Sequence, residues 1–206
     1  MSSFNEKTPN RVTVQNVLWP TLSALVLATV LGFVAGCNSS EPAGMGSGGD
    51  HLARPLHLPN AGAGNRCPIE PGRTVDPAYG PAVGKGPVYA AALGTDSTLL
   101  FSPPERFESK RWGGNKVLWL IAPDYRGPVL IRGRRLDRSG RVRFDEGDVP
   151  PARIRLGGDS ISQGSDPRWR ERPSYTRIEG LGCYAYQVDG RDFSYPIVFR
   201  AVAASD

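Results

Sequence analysis

Histidine is nearly absent from this chain. Its 206 residues hold two, His51 and His57, and from Cys67 to the C-terminus there is none. Without an imidazole, that stretch cannot build Ser-His-Asp or Cys-His catalysis, nor a histidine-ligated zinc site. The two histidines present sit in a Gly- and Pro-rich stretch with no third or fourth ligand beside them, and read as solvated linker residues. Helical periodicity is missing too: no window places apolar residues at i, i+3, i+4, i+7 over a useful length. "WGGNK" and "LGGDS" lack the Lys and Ser/Thr spacing of a phosphate loop, so Gly113-Gly114 reads as a bend before a strand. Asp145, Glu146 and Asp148, and Asp159 and Asp166, miss the acidic spacing of an EF-hand loop and read as turn and solvated acids. No metal and no cofactor is therefore expected. A carboxylate pair meeting from distant strands stays open in principle, but no local feature points to one. The interleaved aromatics of a nucleic-acid groove are also missing.

What the chain has in excess is chain-breakers. Twenty-five Gly and 19 Pro favour short strands and many turns, and the length suits one domain with a proper core. The first residues are set apart. Lys7 and Arg11 precede an uncharged run, "VLWPTLSALVLATVLGFVAG", Val17 to Gly36, and then Cys37. A basic start, an apolar middle and small residues at the end have the form of a secretory signal.

Val34-Ala35-Gly36-Cys37 resembles the lipobox of bacterial lipoproteins. The resemblance implies that residues 1–36 are removed and that Cys37 carries a diacylglyceryl group as the mature N-terminus. Two acyl chains at about 0.8 kcal/mol per buried methylene anchor a protein without help. The rival reading is an uncleaved spanning helix, since twenty residues at about 1.5 Å each cover roughly 30 Å. Either leaves the remainder at the extracytoplasmic face of the cell membrane.

Residues 37–66, rich in Gly, Ser, Ala, Pro and Asn, have no sustained hydrophobic period and read as a flexible, disordered stalk. From 67 to 206 the texture is that of strands. "GPVYAAALGTDSTLLF" reads as a hairpin turning at Gly94-Thr95-Asp96, and "KVLWLIAP" as a buried strand. "GPVLIRGRRLDRSGRVRF" reads as a second hairpin turning at Asp137 to Gly140. "VDGRDF" reads as a third, its Asp189-Gly190 pair suited to positive φ. The expectation is an all-β domain of roughly eight strands, a sandwich or a partly open barrel.

With Cys37 lipidated, Cys67 and Cys183 remain, an even pair outside the cytoplasm that suggests one disulfide. In the chain-entropy model a loop of that length is worth up to about 4.7 kcal/mol. Cys183 opens an alternation, "CYAYQVDG", that puts Cys183, Ala185 and Gln187 on one side and Tyr184, Tyr186 and Val188 on the other. Either side could face the core, and a strand covered on both faces would bury both.

The stretch Pro173 to Ala201, "PSYTRIEGLGCYAYQVDGRDFSYPIVFRA", resembles the end of immunoglobulin-like domains of exported bacterial proteins. Gly182, Cys183 and Tyr184 match its Gly-Cys-aromatic strand, and Ile197, Val198 and Phe199 its closing strand. The resemblance implies a sandwich and no activity. Leu181 stands where the tyrosine of a tyrosine corner would be, and Cys67, Trp119 and Cys183 are spaced too widely for the antibody framework.

Arginine is the notable surface feature. From Cys67 onward, 21 Lys and Arg face 17 Asp and Glu, leaving +4 of the chain's +5 there. Alternation puts Arg132 and Arg134 on one face of a strand and Arg141 and Arg143 on one face of the next, so four guanidinium groups could share a surface. Such a surface suits phosphates and carboxylates, and so anionic lipid, a wall polymer or an envelope protein; the bland alternative is a solvated sheet face. Trp119 reads as core and Trp169 as a loop residue, exposed or covering a sandwich edge. The expectation is a membrane-anchored extracytoplasmic lipoprotein, not an enzyme, acting as a binding or structural module. The alternatives are a subunit of an envelope complex recruited through the basic hairpin, and, last, a carboxylate-dependent hydrolase.

Overall fold

The structure, a computed structural model, describes residues 51–62, 64 and 66–204. The expected leader, Cys37 and the first part of the expected stalk lie outside the described residues. Those described form an all-β sandwich. In chain order the strands are β1 (Arg73–Asp76), β2 (Gly80–Val83), β3 (Val88–Ala91), β4 (Thr98–Phe101), β5 (Gly113–Ile121) and β6 (Val129–Arg135). There follow β7 (Arg143–Phe144), β8 (Arg153–Leu156), β9 (Ser162–Gln163), β10 (Arg170–Ile178), β11 (Gly182–Asp189) and β12 (Ser194–Ala203). One sheet runs β1-β2-β3-β5-β10-β7, with β9 also on β10; the other runs β4-β12-β11-β6-β8. Every pairing is antiparallel except β4 with β12. Among the described residues no helix is long and apolar enough to cross a membrane.

The expected hairpins fare differently. β11 and β12 do pair across the 190–193 loop, in register from Gly182 with Ala201 to Asp189 with Ser194. The turn is not the Asp-Gly type expected, for Gly190 does not adopt positive φ. Glycine is needed there for another reason: a Cβ would overlap the Phe193 ring, which folds back over the loop. Val88–Ala91 and Thr98–Phe101 are both strands, but not a hairpin, since β3 belongs to one sheet and β4 to the other. Between them Ala92 and Ser97 take positive φ as the chain crosses. The Asp137–Gly140 turn likewise joins different sheets: β6 pairs with β11 and β8, while β7 pairs with β10. Only a lone bridge, Arg134 with Arg141, survives of the expected ladder.

The inter-sheet core is aromatic. Tyr184, Tyr186 and Val188 all point inward and are fully buried. The Tyr186 ring stacks on Phe199 at 4.5 Å and meets Trp119 of the opposite sheet edge-on at 5.0 Å. Its hydroxyl shares a 2.7 Å hydrogen bond with Thr176 Oγ1, so the polar tip is satisfied across the sandwich. Tyr184 donates to Gly180 O at 2.7 Å. This closes the β10–β11 corner as a tyrosine corner does, from the residue after the cysteine rather than two before it.

The other face of β11 is buried as well. Cys183 and Ala185 pack with Val198 and Ala61 under a strap of chain, described at residues 51–62, 64 and 66–70, that runs over β6, β11 and β12. Leu52 is 1% exposed. From His51 on, therefore, the segment expected to be stalk is part of the fold. Its lack of period has a physical reason: side chains, not a β ladder, satisfy its backbone. Gln187 accepts the His57 N–H at 2.6 Å and donates to Pro55 O at 2.9 Å. Arg132 donates to the Arg54 carbonyl. Arg54 in turn donates to Gly190 O at 2.7 Å, Arg191 O at 2.7 Å and Phe193 O at 2.9 Å. At the other end of the strap Cys67 and Cys183 stand at disulfide distance, Sγ to Sγ 2.01 Å and Cα to Cα 5.5 Å.

Candidate functional site

The sandwich has two poles. At one, β11 ends and β12 begins, and Arg54 fastens the strap. At the other, β10 ends, β5 begins, and the chain returns through Glu179–Leu181 into β11. The second pole carries the most chemically distinctive surface of the described residues, a groove of about 430 Å³.

Its floor is built from the segment before β5. A 3-10 turn at Pro104–Phe107 ends at Glu108, which takes the left-handed conformation with φ 50°. Ser109 Oγ then accepts the N–H groups of Arg111 at 3.3 Å and Trp112 at 3.1 Å, fixing the bend. Gly113 and Gly114 do not bend before the strand, as expected, but open it. Gly114, at φ 142°, lies so close to β10 that a Cβ would overlap the Thr176 carbonyl oxygen. That approach brings Trp112 O over Arg177, whose Nε and Nη2 donate to it at 3.2 and 2.6 Å. Arg177 is 1% exposed. Burial lowers its pKa, with Glu146 opposing, and among the described residues no carboxylate pairs with it. Its charge rests on carbonyl oxygens and on the Phe107 ring, 4.1 Å away.

Above this floor two guanidinium groups lie over the Trp112 ring, Arg111 at 5.1 Å and Arg143 at 5.5 Å. Arg111 is paired with Glu179, Nε to Oε1 2.5 Å. Arg143 donates to Pro150 O at 3.1 Å, while its Nε is buried without a partner. Lys110 and Arg141 complete the basic lining, and Val149, 75% exposed, gives an apolar contact. Glu108 and Asp148 also face the groove, so four cations stand against two acids. Among the described residues none of Lys110, Arg141 and Arg143 has a carboxylate partner. A neighbouring cavity of similar size, lined by Phe107, Tyr175, Arg106, Arg177, Glu146 and Asp148, is mixed in sign.

The four arginines singled out by alternation are thus split. Arg141 and Arg143 line the groove; Arg134 is exposed beside Arg141. Arg132 lies beneath the strap, where its Nη2 bonds Asp189 Oδ2 at 2.7 Å. The four do not share one face, because β6 and β7 enter different sheets. The acids are engaged individually: Asp145 accepts from Arg172 at 2.9 Å and Asp166 from Arg168 at 2.6 Å. No three His, Cys, Asp or Glu side chains converge as metal ligands among the described residues. Trp169 is not exposed but 7% accessible, packed against Tyr79 and Tyr89 and donating to Asp76 Oδ2 at 3.1 Å. It covers the outer face of the first sheet.

Sequence reasoning missed Lys110 and Arg111 as groove residues, and Arg177 as the buried cation that holds the Trp112 carbonyl. "SKRWGG" carried a signal: a serine able to cap a bend, basic residues beside a tryptophan, and a glycine pair permitting close approach. Lys110, Arg111, Arg141 and Arg143 supply cationic hydrogen-bond donors, the equipment for binding an anion. No family model, no curated protein and no solved structure matches this chain.

Proposed function

We propose that this protein is a membrane-anchored extracytoplasmic lipoprotein whose immunoglobulin-like sandwich is a non-catalytic binding module, with the Trp112 groove as its site for an anionic group. The observation that carries the reading is the groove itself: Lys110, Arg141 and Arg143 converge with no carboxylate partner among the described residues. Glu108 and Asp148 in the same lining and Glu179 on Arg111 offset part of this charge, leaving an excess of cations over acids at the groove. The Cys67–Cys183 pair supports the location, since structural disulfides persist in oxidising compartments and are rare in the cytosol. The lipobox at Val34–Cys37 supports the anchor.

The anchor is tested by metabolic labelling with a fatty acid, comparing the chain with Cys37→Ala. Label and membrane retention lost together support it; retention lost while label persists overturns it. The site is tested by titrating the intact protein with anionic polymers, with Lys110→Gln and Arg141→Gln as variants that leave the core untouched. A second reading, recruitment to an envelope complex, draws on the exposed Arg134–Arg141 pair. A pull-down from detergent-solubilised membranes, with and without Arg134→Gln, which lies outside the groove lining, separates the two.

A further inference from the structure

The strap is bound to the sandwich in a way that the Trp112 groove does not explain. We infer that the face of β6 and β11 beneath it is a peptide-recognition site, filled here in cis by residues 52–58. Its partner in trans is an extended segment of another protein that carries an arginine with a leucine two residues before it. Three observations converge on this.

The first is how the segment is read. None of residues 51–62 belongs to a strand, and none joins the ladders of β6, β11 or β12. Side chains bind its backbone instead. The Gln187 amide donates to Pro55 O at 2.9 Å and accepts the His57 N–H at 2.6 Å, spanning two backbone groups as a β rung would. Arg132 donates to the Arg54 carbonyl. Removing the segment therefore breaks no ladder bond of either sheet, and a segment of different sequence offers Gln187 the same groups.

The second is a cup that fits a guanidinium. Arg54 Nη1 donates to Gly190 O at 2.7 Å and Phe193 O at 2.9 Å, and Nη2 donates to Arg191 O at 2.7 Å. The Asp189 carboxylate lies 3.8 Å from the same Nη1. Three carbonyl oxygens spread over two nitrogens match a planar fork, whereas an ammonium brings one nitrogen to all of them. Leu52, two residues earlier, is the buried apolar anchor. Pro55, Leu56 and His57 are exposed, so their side chains carry no recognition.

The third is that the receptor is fixed by bonds other than those to the strap. Asp189 accepts from Arg132, Gln187 and Ser194. The 190–193 loop is closed by the Gly190 N–H on Phe193 O at 3.0 Å, and the Arg191 N–H donates to the Tyr125 hydroxyl at 3.4 Å. The Phe193 ring packs on Tyr125 at 5.3 Å and on Tyr195 at 5.6 Å. A site held in this way loses little entropy when a segment enters. The tethered strap acts at an effective concentration on the order of millimolar, so it keeps out weaker peptides until it is displaced.

The test uses the full-length protein in neutral detergent micelles. The probe is a fluorescent peptide of residues 51–62, HLARPLHLPNAG, read by anisotropy. The receptor is Arg54→Ala, in which the strap loses its latch and the cup stays whole. The expected result is saturable binding to Arg54→Ala, and binding at least about tenfold weaker to the unaltered chain, whose site is filled. The same peptide with Arg54→Lys or Leu52→Ala binds about tenfold more weakly, and with Leu56→Ala equally well. If Arg54→Ala does not fold, the unaltered chain decides: millimolar peptide is expected to raise amide exchange in residues 51–62 of the isotopically labelled chain. Equal affinity for the unaltered chain and Arg54→Ala places the peptide elsewhere and overturns the inference. Equal binding of the Arg54→Lys peptide removes the guanidinium from the recognition and overturns it. A dimer of Arg54→Ala with the unaltered chain, tighter than the peptide complex, makes a second copy the occupant and overturns the partner assigned. No binding to folded Arg54→Ala, or exchange unchanged by millimolar peptide, makes the strap a part of the fold alone and overturns the inference.

Discussion

The Arg54 guanidinium stands 3.8 Å from the carboxylate of Asp189, which is fully buried beneath it. Asp189 also accepts hydrogen bonds from Arg132 at 2.7 Å, Gln187 at 3.0 Å and Ser194 at 2.6 Å. One carboxylate at the end of β11 thus balances two arginines, and both arginines hold the strap. Asp189→Ala leaves those cations partly buried and unpaired, a change that costs about 3–5 kcal/mol in comparable settings. Thermal unfolding measures the loss. Asp189→Asn keeps the shape and is expected to cost less. Arg54→Ala should lower the melting temperature only modestly while sharply raising amide exchange in residues 51–62, because it releases the strap and leaves the sandwich core intact.

The opposite end of the strap is held covalently. Replacing Cys67 and Cys183 together by serine is expected to destabilise by about 2–4 kcal/mol, chiefly by freeing the unfolded chain. The two fastenings are separate in space, so their effects should add within about 0.5 kcal/mol. A combined variant that loses much more than the sum would mean that strap and sandwich unfold as one unit.

Much of the sandwich could be read from alternation, because β5 and β11 present one apolar residue type after another to a core bounded by turns. What alternation does not encode is which sheet a strand joins. Val88–Ala91 and Thr98–Phe101 have hairpin spacing, yet each finds its partner far along the chain, β3 on β5 and β4 on β12. The strap was illegible because its bonds are made to Gln187, Asp189 and Arg132, residues whose strand context gave no sign of a second layer above them. Trp169 does lie in the loop before β10, but its burial was not legible because Tyr79 and Tyr89, which enclose it, arrive from elsewhere in the chain. The groove was half legible: Arg141 and Arg143 were apparent as basic positions, but the fold supplies the other wall from Lys110 and Arg111.

Gly114 is where fold and site meet. With φ at 142° and the Thr176 carbonyl where a Cβ would lie, Gly114→Ala forces β5 away from β10. The expected cost is more than about 2 kcal/mol. The same displacement moves Trp112, whose carbonyl Arg177 holds from below, so anion affinity should fall with stability. Circular dichroism melts and polymer titration on the one variant test both.

Tyr184 ties stability to alkaline pH. Burial pushes its phenol up to about 12, with the nearby Arg135 charge opposing. In the unfolded chain the same phenol ionises near pH 10. Between those values the folded state keeps a proton that the unfolded state has lost, so the stabilising contribution is complete below pH 10 and drains away as pH rises toward 12. A shift of that size corresponds to about 2–3 kcal/mol. Tyr186 and Tyr195 are also raised by burial and act in the same direction. Tyr184→Phe separates one contribution from the rest. At pH 8 it should cost about 1–2 kcal/mol, since Gly180 O loses its donor and Arg135 Nη1 its 3.0 Å acceptor. Above pH 10 its stability should fall less steeply than that of the unaltered chain, so the two curves converge. Denaturant midpoints measured from pH 8 to 11.5 decide the matter: curves that stay parallel would mean that the Tyr184 hydroxyl titrates alike folded and unfolded, and that the corner it closes at Gly180 opens readily in solution.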